Sequence, residues 1–127
     1  MTGRERAASG SPYEARIGFS RALRVGARVV GAGTAPVWPD GGCDPDPGAQ
    51  ARHCLEILMG AFRELGAAPG DVVRTRIYLT DASYADAVGT AHAEVFGEVR
   101  PAATMIVVAA LLDERWKVEI EAEAVID

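Results

Sequence analysis

The chain has 127 residues, 49% of them hydrophobic, enough for one packed domain that buries about two-thirds of its unfolded surface. Thirteen Lys and Arg against 18 Asp and Glu leave a net charge of −5, which argues against nucleic acid as a partner, because phosphate neutralisation needs concentrated cations. Cys43 and Cys54 form no disulfide framework and match no metal spacing, so no metal or other cofactor is expected. Residues 1–20 lack an apolar signal segment and no run reaches membrane-span length, so a reduced, cytoplasmic setting without a membrane partner is expected.

Residues 1–12 (MTGRERAASGSP) are small, polar and charged, and are expected to form a flexible tail ahead of a single domain over 13–127. Phe19 to Val25 alternates apolar with polar residues, Gly26-Ala27 supplies a turn, and Arg28 to Gly33 reads as the returning strand of a hairpin. Gly31 and Gly33 inside that strand predict a bulge or a close approach to the backbone. Residues 36–48 hold four prolines and three glycines and read as a loop. Asp46 is the predicted cap and Pro47 the first residue of a helix reaching about Leu65, with Ala51, Cys54/Leu55, Leu58, Ala61/Phe62 and Leu65 on its apolar stripe. His53 is read as a solvated residue of this helix, and Cys54 as core. Gly66 ends it.

Asp71 to Thr80 is the third strand, with Val73, Thr75, Ile77 and Leu79 on one face and Arg74, Arg76 and Tyr78 on the other. A second helix is predicted from Ser83, its cap in a box with Asp86, to Phe96. The stretch Arg100 to Ala124 then organises the chain. Ala102 to Leu111 is apolar and branched, the pattern of a strand covered on both faces. From Lys117 to Ile126, Val118, Ile120, Ala122 and Ala124 alternate with Glu119, Glu121 and Glu123. The order ββαβαββ predicts an α+β domain, one mixed sheet with two helices on one face. The face carrying Arg74, Arg76, Tyr78 and the three glutamates, with Ala103, Met105 and Val107 assigned to it, mixes charge with apolar area. That composition suits an interface between subunits.

With these elements in place, the sequence resembles the RidA (YjgF-like) family of reactive-intermediate deaminases, formerly L-PSP endoribonucleases. The resemblance spans Tyr13 to Val125. It is carried by SPY at 11–13, GAGTAP at 31–36, ELGAAPGDVVRTRIYLTD at 64–81, AEVFGEVRPAAT at 93–104 and VEIEAEAV at 118–125. It implies a chorismate-mutase-like fold, a homotrimer, and small-molecule clefts between subunits where active members hydrolyse enamines and imines to 2-keto acids and ammonia. The family's N-terminal tyrosine falls on Tyr13 and its backbone glycine on Gly33. The glutamate that positions the attacking water falls on Glu119, with Thr34, Thr104, Met105 and Trp116 expected beside it as ligand contacts.

The position that defines the deaminase departs. The family arginine that grips the substrate carboxylate is Ala103 here, in RPAAT rather than RPARS. A bidentate arginine clamp makes two charge-assisted hydrogen bonds of roughly 1.5–3 kcal/mol each, so its loss costs on the order of 10²–10⁴ in affinity or rate. Arg76 is the candidate substitute cation, pairing with Glu119 or Glu121 being the alternative. His92, on the second helix, is a candidate acid–base group. The expected activity is hydrolysis or deamination of an enamine- or imine-type metabolite other than a simple 2-imino acid. The alternative is a non-catalytic small-molecule-binding or pathway accessory protein.

Overall fold

The computed structural model describes residues 3–127. One mixed six-stranded sheet carries two helices on one face. In chain order its elements are β1 (Glu5–Ala7), a π-helical turn (Glu14–Gly18), β2 (Ala22–Val25), β3 (Arg28–Thr34), α1 (Pro47–Glu64), β4 (Val72–Leu79), α2 (Ala85–Phe96), β5 (Ala102–Val107) and β6 (Val118–Val125). The strand order is β1-β2-β3-β6-β4-β5. Among the described residues only β4 and β5 pair in parallel, with α2 as their crossover; the other neighbours are antiparallel.

Local chemistry sets the helix ends. The Asp46 carboxylate accepts from the Ala49 amide at 2.8 Å and Pro47 occupies the first turn, where its missing N–H costs nothing. Gly66, at φ +89°, terminates the helix. Ala51, Cys54, Leu55, Leu58 and Phe62 are all buried against Val29, Ile77, Val118, Ile120 and Ala122 of the sheet. Each fully buried Leu or Phe contributes roughly 1.5–3 kcal/mol, so this helix–sheet seam carries most of the fold. Gly31 lies beneath it. A Cβ there would come within 2.5 Å of Leu58 Cδ1 and 2.7 Å of Phe62 Cε1, and the β3–β6 register shifts between Gly31 and Thr34. Gly31→Ala is expected to cost about 1–3 kcal/mol by overpacking, read as a lower urea midpoint with an unchanged slope.

Several local expectations are corrected. The tail is not loose throughout: Glu5–Ala7 pairs with β2 and Ala7 is buried, because β2 would otherwise be an open edge (Met1 and Thr2 lie outside the described residues). The 102–111 stretch is not a covered central strand. It ends at Val107, forms the far edge of the sheet, and all six of its residues are exposed. Its parallel register sets Ala103, Met105 and Val107 level with Thr75, Ile77 and Leu79, on the helix side; Thr104 and Ile106 share the outer face with Arg76 and Tyr78. A register shift between Val72 and Arg74 buries Val72 and turns Val73 outward. Ser83 does not cap α2. Its amide is taken by Asp81, and a single 3₁₀ turn over Ala82–Tyr84 leads into the helix.

Candidate functional site

The segment from β1 to β2, the end of β3, the loop after it and the start of β6 enclose a cavity of about 830 Å³. Tyr13, Gly33, Thr34, Trp116 and Glu119, all singled out in the sequence, line it. Tyr13 and Trp116 meet edge to face, with ring centroids 6.0 Å apart. Glu119 reaches the cavity because β6 alternates, sending its odd-numbered glutamates to the face away from the helices. Gly33 lies beside it: a Cβ there would sit 3.4 Å from the Glu119 carboxyl, in van der Waals contact with it.

The three glutamates of β6 have different surroundings. Glu123 binds Arg28 at 3.0 Å and Arg76 at 3.5 Å; Glu121 takes Arg76 at 3.5 Å and the Tyr78 hydroxyl. Glu119 has no hydrogen-bond or ion-pair partner among the described residues. Burial pushes its carboxyl above the ordinary carboxylate value, the Arg21 charge partly offsetting this and Glu121 adding to it. An acid held in this way can accept or give a proton closer to neutrality than a solvated one.

The other sequence candidates lie elsewhere in the single chain. Arg76 shares the outer face with the glutamates but is engaged by Glu121 and Glu123 and does not line the cavity. His92 is on the opposite side of the sheet. Its Nε2 lies 2.8 Å from the Thr75 hydroxyl, its ring packs on Phe96 at 4.8 Å, and burial pushes its pKa down. It therefore anchors α2 and stands outside the cavity. Ala103, Thr104 and Met105 stand exposed on the β5 edge, two strands from Glu119.

Sequence reasoning missed two features of the cavity wall. The first is Arg21, whose guanidinium donates to Gly33 O (2.6 Å), Thr34 Oγ1 (3.2 Å), Ser9 Oγ (3.2 Å) and Glu14 (3.3 Å), with only 5% of the side chain exposed. Burial opposes the charge on Glu14, yet two bonds from Ser9 and the Arg21 charge together hold its carboxyl below the ordinary value. The available signal was an arginine interrupting the apolar run Phe19, Leu23, Val25. The second is a stack of Trp38 on His53, with centroids 4.1 Å apart and planes within 8°. His53 is not the solvated residue expected: its Nε2 bonds the Val37 carbonyl at 2.9 Å and fixes the loop that carries Trp38. Only the tertiary fold brings residues 38 and 53 together.

The family model for Endoribonuclease L-PSP matches residues 10–126. The chain belongs to that family. Among its RidA-like (YjgF-like) relatives, an uncharacterised protein of Streptomyces coelicolor is 40% identical over 122 residues, 94% of this chain and 90% of that one. A 2-iminobutanoate/2-iminopropanoate deaminase of Salmonella typhimurium is 33% identical over 111 residues, 84% and 86% of the two chains. A crystal structure of a Mycobacterium tuberculosis member of the YjgF/YER057c/UK114 family superposes with a TM-score of 0.90 at 44% identity, covering 98% of this chain and 100% of that one. The RidA-like α+β fold is thereby shown. Membership supports a deaminase-like or small-molecule-binding role for this RidA-like chain. Among the described residues, no helix is long and apolar enough to cross a membrane.

Proposed function

We propose that this RidA-like protein is a homotrimer that hydrolyses an imine or enamine in clefts formed between subunits. The observation that carries the reading is the unpartnered Glu119 carboxyl, set beside the open backbone of Gly33 in a cavity walled by Tyr13 and Trp116. In this reading Glu119 takes a proton from a water as its oxygen attacks the C=N carbon. From the protonated imine this gives a carbinolamine; Glu119 then returns the proton to its nitrogen and, as the C–N bond breaks, the regenerated carboxylate takes up the carbinol O–H proton so that the carbonyl forms. One water is consumed; a carbonyl compound and ammonia leave. The exposed β5 edge, with Met105, Ile106 and Val107 between 37% and 54% accessible, supports assembly, since an apolar sheet edge in solvent is an aggregation hazard. In the trimer, the Ala103–Met105 stretch of a second copy would close the cleft facing Glu119.

Two results test this. Imines generated in place by an amine oxidase should be hydrolysed faster than in buffer, measured as ammonia release; buffer-rate hydrolysis across the panel would sink the catalytic reading. With 2-aminoacrylate, wild type is expected to be slow and Ala103→Arg to gain about 10²-fold or more, because the variant restores a carboxylate clamp. A variant no better than wild type would mean that position 103 does not face the ligand. A second reading, binding without turnover, is favoured by one observation: the cavity's own arginine is wholly engaged in structural bonds.

A further inference from the structure

We propose, resting on the cleft assigned above, that its ligand is an amine-derived imine or amine with an aromatic or bulky apolar body and no carboxylate, selected by Glu119 together with Trp38. Three of the lining side chains can carry charge: Arg21, His53 and Glu119. Arg21 is held by Gly33, Thr34, Ser9 and Glu14, and the adjacent Glu14 carboxylate balances its charge. His53 spends Nε2 on the Val37 carbonyl and its ring face on Trp38. Among the described residues, no cation that this chain gives the wall is left to receive a carboxylate, and the carboxyl of Glu119 stands there unpaired. An ionised Glu119 attracts a protonated nitrogen, while a ligand carboxylate finds no partner in this wall.

The remaining wall favours apolar bulk. Phe19, Ile57, Trp38 and Trp116 present aromatic and aliphatic surface, while Ile17 and Leu112 stand at the cavity with 63% and 79% exposure. The single chain's part of the cleft measures about 830 Å³ before a second copy closes it, within the roughly 300–1,000 Å³ of small-molecule sites. The Trp38 side is preformed. Val37 N bonds Ala35 O, Gly41 N bonds Trp38 O, and the His53 stack holds the indole, so little ordering remains to be done on binding.

Two probes of similar shape and opposite charge, 2-phenylethylammonium and 3-phenylpropanoate, test the inference by calorimetric titration of the full chain. Wild type is expected to bind the ammonium probe at least tenfold more tightly. Glu119→Gln should bring the two affinities close to parity, and Trp38→Ala should weaken the ammonium probe about tenfold while keeping its preference. Trp38→Phe, which preserves the stack, should retain most of the affinity and guards against misfolding of the alanine variant. Equal or tighter binding of the propanoate by wild type, absence of binding by both probes, or an ammonium preference that survives Glu119→Gln would overturn the ligand class. The hydrolytic reading is separated by turnover of the imine made from 2-phenylethylamine. Selective binding without ammonia release would remove catalysis and leave the ligand class standing, whereas turnover confined to small 2-imino acids would do the reverse.

Discussion

Arg21→Met is expected to destabilise the protein by about 3–5 kcal/mol, the largest stability effect of any single side chain discussed. The substitution leaves the Glu14 carboxylate, 10% exposed, without its cation, and an uncompensated buried charge costs far more than a well-formed pair contributes. It also removes the donors to Gly33 O and Thr34 Oγ1, which fix the end of β3 against the 9–14 segment. A urea titration measures the loss. The double variant Arg21→Met, Glu14→Leu should recover much of it, because no unpaired charge is then left behind. A single variant within about 1 kcal/mol of wild type would show that the pair is solvated in the assembled protein. The pH dependence has a definite sign. The Glu14 carboxyl is held below its ordinary value of 4.5 in the fold, so its contribution is present above that value and is lost as pH falls through the lower folded one.

Glu119→Gln is expected to lower hydrolytic turnover by about 10²–10⁴-fold, the usual worth of a positioned general acid–base group. The amide keeps the size and most of the packing but cannot take up a proton from water. The same change should raise thermal stability. A carboxyl whose folded pKa lies above the ordinary 4.5 keeps its proton in the native state after the unfolded chain has lost it. Native stability therefore declines as pH rises through that window, and the penalty stands in full above it. Glutamine removes the penalty, so the variant should melt higher than wild type at about pH 7 and show no gain below about pH 4. Loss of turnover together with a higher melting temperature is the signature of a carboxylate kept for chemistry at the expense of stability. A variant that loses activity and stability together would point to a structural role for Glu119 instead.

Features that depend on near neighbours in the chain were legible from sequence. Asp46 and Pro47 start α1, the stripe through Cys54, Leu58 and Phe62 faces the sheet, and the alternation of β6 sends Glu119, Glu121 and Glu123 away from the helices. Gly31 and Gly33 read as close-approach positions, and each has a neighbour that a side chain would crowd or meet. The RPAAT departure at Ala103 was equally plain. Tertiary structure decided the rest. An apolar run does not reveal whether its strand is central or at an edge, since that depends on which partners it meets; the 102–107 strand pairs only with β4 and stays exposed. Helical spacing does not say which group a polar residue will find, so His92 goes to Thr75 on the core side and His53 to Val37 and Trp38 at the cavity. Arg21 could be placed in a strand from its neighbours, but its partners Ser9, Glu14, Gly33 and Thr34 are joined only when β1, β2 and β3 pair. Short-range periodicity sets which way a side chain points relative to its own element. Long-range pairing sets what it meets there, and in this cavity that leaves Arg21 engaged and Glu119 free.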